Sequence, residues 1–93
     1  MSEPTFAAFQ AEHLAQGFDE VLERVWLSDQ VMDTHTHPFA VKALVVAGDL
    51  WLTVGSDTRH LRRGDTFELA REEPHGERYG PAGATFWAAR RTG

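Results

Sequence analysis

The feature that most constrains this chain is how often it turns. From Ser28 onward, short β-prone runs are cut by Ala47-Gly48-Asp49, Gly55-Ser56-Asp57, Arg63-Gly64-Asp65 and Gly80-Pro81-Ala82-Gly83. The runs between them are Lys42 to Ala47, Leu50 to Val54, Arg59 to Leu61, Thr66 to Leu69 and Thr85 to Ala89. Gly48-Asp49 and Gly55-Ser56-Asp57 read as hairpin connections, because glycine reaches the positive φ that such turns require. An earlier strand begins at Glu20, where Val21, Val25 and Leu27 alternate around Glu23 and mark a half-buried face. Only the start breaks the pattern: Thr5 to Gln16, with Phe6, Phe9 and Leu14 near helical spacing and Gly17 as a stop, reads as a short helix covering one face. The expected fold is mostly β, a barrel or sandwich with one N-terminal helix.

A chain of 93 residues has room for one core. The expected organisation is a single domain over 1–93, with a helical segment over 1–17 and a β-barrel over 18–91. A domain this small buries only about 60–70% of its unfolded surface, so added stability from a ligand, a metal or a second copy is expected, and a homodimer with it. Fourteen acidic against nine basic side chains give a net charge of -5. Phosphate backbones would be repelled, so nucleic acid is not an expected partner. With no cysteine there is no disulfide framework and no thiolate chemistry. The start Met-Ser-Glu-Pro carries no leader pattern, and the longest apolar stretch, Ala43 to Gly48, is too short for a bilayer. A cytoplasmic protein without membrane partners is the expectation.

His35-Thr36-His37 is the pattern with the most chemistry in it. On a strand, residues i and i+2 share a face, so the two imidazoles would project together. Spacing alone suits a metal chelate and an ordinary pair of surface or hydrogen-bonded core histidines equally. Met32 and Phe39 flank this strand as candidate pocket walls, and Asp33 shares its parity with His35. His13 and His60 read as surface residues, Trp26, Trp51 and Trp87 as core fillers.

The segment from His35 to His75 resembles the cupin superfamily of jelly-roll barrels, including the sensor domains of AraC-type regulators. His35-Thr36-His37-Pro38-Phe39-Ala40-Val41-Lys42 with Gly48 is similar to the first cupin motif; Gly64-Asp65, with His75 eleven residues after Gly64, is similar to the second. The resemblance spans roughly Gly17 to Arg91 and implies a cupin-like jelly-roll β-barrel. It also implies that His35, His37 and His75 ligate a divalent first-row metal ion (Zn, Ni, Mn, Fe or Cu). Val41 or Lys42 stands where that family places its acidic ligand, Glu72 and Asp29 where it has turn glycines, and Tyr79 where it has Asn. A lysine ammonium ~4 Å from a unit positive charge would cost about 4 kcal/mol at an effective dielectric near 20. Glu77, two residues beyond His75 and so on its face, would ligate the ion or pair with Lys42.

The resulting expectation is a metal-binding barrel that takes a small polar molecule, with catalysis left open. The alternative is a metal-free sensor in which Lys42 and the histidines hold an anionic ligand.

Overall fold

The structure, a computed structural model, describes residues 3–92. Met1 and Ser2, the first residues of the expected helical segment, and Gly93 lie outside the described residues. Helix α1 (Phe6–Ala15) starts at Thr5, whose hydroxyl accepts the Ala8 amide hydrogen at 3.1 Å and so satisfies one of the free donors of the first turn. It lays Phe9 and His13 on the sheet, while Leu14, read above as an apolar contact, is exposed. The helical row is therefore Phe6, Phe9, His13. His13, expected on the surface, is buried: its ring lies 4.0 Å from that of Phe9 and its Nδ1 sits 2.8 Å from the Phe9 carbonyl, one turn back. No described helix is long and apolar enough to cross a membrane.

Six antiparallel strands follow: β1 (Glu20–Trp26), β2 (Val31–His35), β3 (Ala40–Val54), β4 (Asp57–Arg62), β5 (Thr66–Leu69) and β6 (His75–Arg91). β3 and β6 pair along most of their length and each serves two halves of the barrel. The second half of β6 also pairs with β1 and its first half with β2; the first half of β3 pairs with β5 and its second half with β4. This is the mostly β jelly-roll expected.

Two of the expected turns are bends instead. Ala47-Gly48-Asp49 lies inside β3, and Gly80-Pro81-Ala82-Gly83 inside β6. Gly48 (φ 70°) and Gly83 (φ 71°) cross face to face, and a Cβ on Gly48 would come within 2.1 Å of the Gly83 carbonyl oxygen. The register slips between Val45 and Ala47 and again between Gly48 and Leu50, so the two long strands bend together rather than end. Gly55-Ser56 does turn the chain, from β3 into β4.

Two apolar clusters result. Inside the barrel, Val45, Leu50, Leu61 and Tyr79 are almost fully buried. Under α1, Phe9, Phe18, Val21, Trp87 and Ala89 form a second layer on the outside of the sheet. β1 separates the two, and its faces are not assigned as the alternation suggested. Val21 faces the helix, but Val25 and Leu27 run beyond its cover and are 69% and 73% exposed, while Arg24 and Trp26 take the barrel side.

Candidate functional site

His35 ends β2 and pairs directly with His75, the first residue of β6; His37 lies just beyond, in the loop before β3. The ring centroids are 4.3 Å apart for His35 and His75, 4.8 Å for His35 and His37, and 5.1 Å for His37 and His75. One nitrogen from each lies within 4.8 Å of the others, so the three could hold a metal ion. A tetrahedral ion bonded at ~2.0–2.1 Å needs its nitrogens roughly 3.4 Å apart, so the rings would have to draw closer around a bound ion.

Two of the rings are oriented by the backbone. Nδ1 of His35 is 2.6 Å from the Asp33 carbonyl, and Nδ1 of His75 is 2.9 Å from the Glu73 carbonyl. A carbonyl only accepts, so each Nδ1 carries the hydrogen and the neutral ring keeps its lone pair on Nε2, the form that metal-binding histidines need. Asp33 thus acts on His35 through its carbonyl rather than its carboxylate. Burial foremost, then His35 and His75, then Arg90 and Arg24, hold the His37 imidazole below its usual 6.5, which also favours a neutral ring.

The loop carrying His37 is tied down from an unexpected quarter. Glu72 donates its amide hydrogen to the His37 carbonyl at 2.8 Å and takes a left-handed conformation, φ 63°, to do so. Asp29, in the turn before β2, has φ 56°. These are the positions where the cupin motifs have glycine; here the backbone geometry persists under a side chain that disfavours it.

Glu77 is buried, on the face of β6 that carries His75. Its Oε1 accepts the Tyr79 hydroxyl hydrogen at 2.9 Å, and its Oε2 lies 3.5 Å from Nε2 of His35. Burial, with Glu77 alongside, pushes the Tyr79 phenol far above its ordinary range, so it stays a donor. The expected pairing of Glu77 with Lys42 is not found. The pleat turns Val41, Ala43 and Val45 inward, so Lys42 lies on the opposite face of β3, in register with Glu68 of β5 and Ala89 of β6. Val41, not Lys42, lines the cavity. The repulsion between Lys42 and a bound cation therefore does not arise.

The histidines open onto a cavity of about 130 Å³. Met32, Phe39, Val41, Phe67 and Phe86 give it an apolar wall, and Trp26, stacked on Tyr79 at 5.1 Å, adds to it. Of the three tryptophans expected in the core, Trp87 is buried under α1, Trp26 lines the cavity, and Trp51 lies outside the barrel between His60 (4.2 Å) and the Arg78 guanidinium (4.2 Å). His60 is not alone on that surface, since its Nε2 meets Asp49 Oδ2 at 2.6 Å. Sequence reasoning missed Arg24, Arg90 and Tyr79. The signal was strand parity: Arg24 shares a face with Trp26, Arg90 with Phe86, and Tyr79 with His75 and Glu77.

The barrel, with the three histidines lining its cavity, has the fold of a small cupin. The model of the AraC-like ligand binding domain family matches residues 17–89, and the chain belongs to that family. An RmlC-like cupin from Shewanella frigidimarina NCIMB 400 is similar with TM-score 0.70 and 19% identity, over 78% of this chain and 65% of that one. A cupin-like protein from Thermotoga maritima MSB8 gives TM-score 0.69 and 20% identity over 77% and 56%. One of the DMSP lyases RdDddP and RnDddQII gives 0.71 and 18% over 76% and 37%. This chain spans less than two thirds of each of those structures. No curated protein matches the sequence.

Proposed function

We propose that this protein is a metal-dependent ligand-binding cupin. His35, His37 and His75 hold one divalent first-row ion through their imidazoles, and Glu77 stands beside it as a further donor. The supporting observation is the convergence of three imidazoles within 4.8 Å, two of them with the Nδ1 hydrogen already committed to a backbone carbonyl. The ion would supply a Lewis-acidic centre with positions left for a ligand. The chain's own residues then do the rest: the apolar wall excludes water, and Tyr79 keeps Glu77 pointed by donating to one of its oxygens. The second reading is a metal-free sensor, favoured by the family match to a ligand-binding domain. In that reading the cations at the ligand are Arg24 and Arg90 instead of Lys42.

Elemental analysis of untagged protein, purified without added metal and again after soaking with each candidate ion, separates the two. Near-stoichiometric metal and a melting temperature that falls with chelator support the first; none under any condition supports the second. We also take the protein to act in the cytoplasm as a homodimer, for which the exposed Val25, Leu27 and Val31 offer apolar surface.

A further inference from the structure

The cavity has a charge pattern that a metal centre does not explain. Although acidic residues outnumber basic ones fourteen to nine, two of the nine cations, Arg24 and Arg90, line this one small space. Among the described residues Arg24 forms no ion pair; its guanidinium lies 5.0 Å from the Trp26 ring. Arg90 lies 4.5 Å from the Phe39 ring and gives one terminal nitrogen to Glu20 at 3.3 Å. Two donors are left over: Nε1 of Trp26 and Nε of Arg90 are both buried with no hydrogen-bond partner among the described residues. Buried donors without partners cost free energy, so both belonging to residues that line the same cavity points to an acceptor brought in by a ligand.

The place and size of the cavity narrow that acceptor. Phe39 stacks on His37 at 4.9 Å as well as carrying Arg90, so that arginine stands one ring away from a histidine, while Arg24 is linked to His35 through Trp26, Tyr79 and Glu77. A volume of about 130 Å³ is close to the ~150 Å³ in which an apolar cavity takes benzene. With Met32, Phe67 and Phe86 around it, a sugar or a phosphate ester would leave several hydroxyls or oxygens unmatched.

We propose that the ligand is a compact monocarboxylic acid, its body no larger than one ring or a short aliphatic chain. Its carboxylate is held by Arg24, Arg90 and the Trp26 indole, and its apolar end lies against Met32, Phe67 and Phe86. The proposal deepens the ligand-binding reading of this cavity and needs no particular ion.

The test is isothermal titration of the full chain, stripped with chelator, with benzoate and butyrate and with the corresponding amides, benzamide and butyramide. A separate zinc titration is run without any organic ligand. Charge-assisted hydrogen bonds predict that the better of the two acids binds at least about tenfold more tightly than its amide, and that Arg24→Met and Arg90→Met each weaken that acid by about tenfold or more. Arg→Lys variants at the same positions should recover only part of the loss, since lysine lacks the planar fork. Binding of neither acid, equal binding of acid and amide, or arginine variants that bind the acid as the parent does would overturn the proposal. If the variants do not fold, the acid-to-amide ratio on the parent decides alone. Absent zinc uptake with an intact acid preference would overturn the metal reading and leave this one standing; zinc uptake without the preference would do the reverse.

Discussion

The two sides of the sheet formed by β1, β6 and β3 each bury a histidine, and they do opposite things with it. Under α1, His13 is enclosed by Phe9 and Phe18, its Nδ1 is satisfied one helical turn back, and among the described residues it belongs to no group of three ligating side chains. Inside the barrel, His75 has the same kind of backbone partner on Nδ1, yet two more imidazoles and a carboxylate stand around it, beside donors left without partners. A satisfied histidine in an aromatic layer is packing. A histidine of similar burial becomes a site when the fold brings further ligating atoms to its free nitrogen.

The contrast breaks most sharply under truncation. Phe9→Ala should destabilise the protein by about 3–5 kcal/mol in urea unfolding, as removal of a buried aromatic does, while zinc affinity of the folded fraction stays unchanged; a matching loss of affinity would mean that the helical layer and the site are one unit. His75→Ala should lower zinc affinity by more than about 100-fold, since loss of a ligand exceeds loss of a group that merely supports one, and His13→Ala should leave it alone. If the two histidine variants behave alike in a competition titration with a chromogenic chelator, the comparison fails.

Smaller effects sharpen it. Tyr79→Phe leaves one oxygen of buried Glu77 without its donor and should cost about 1–3 kcal/mol; Glu77→Gln should weaken metal binding by roughly tenfold, and unchanged affinity would remove Glu77 from the site. The pH dependence follows from His37. Because burial and its cationic neighbours hold its folded value below the usual 6.5, the native protein binds fewer protons than the unfolded chain between those two values. That stability is fully present above about 6.5 and is lost as pH falls through the folded value. Urea unfolding of metal-free protein at a series of pH values should show the loss, and His37→Gln should flatten it. The smallest change runs the other way: Glu72→Gly relieves a left-handed conformation and should stabilise by about 0.5–1 kcal/mol in the same assay.

Much of the fold was legible because it follows from local rules. Strand period, turn residues and the change of spacing at Gly17 locate the helix and most of the strands. What local rules misjudge is the role of a glycine. Gly48 and Gly83 look like turn residues, and their backbone angles are those of turn residues, but each bends a strand that continues because the other lies against it. The same holds for polarity. Val25 and Leu27 alternate like a buried face and are exposed, because α1 covers β1 only near Val21; Arg24 looks like a solvated residue and faces the cavity.

At the site, the histidine spacing was readable and the company of the histidines was not. His35 and His37 are two residues apart, and His75 shares their motif pattern, whereas Arg90 stands more than fifty residues from His37 and nothing in the chain between them links the two. Alternation along β3 allows either Val41 or Lys42 to face inward. Only the pairing of β3 with β5 and β6 sets which, and it turns Lys42 away from the cavity.

By itself, then, the amino-acid sequence determined a small β barrel with a helix at its start and two histidines close together, since these depend on periodicity and on residues close in the chain, although His37 lies in the loop after β2 and not on the strand face that the spacing suggested. Tertiary structure alone decided that two guanidinium groups share that space and that Lys42 does not. Register between distant strands is a choice among faces that differ by one residue, and only the packing of the whole barrel makes that choice.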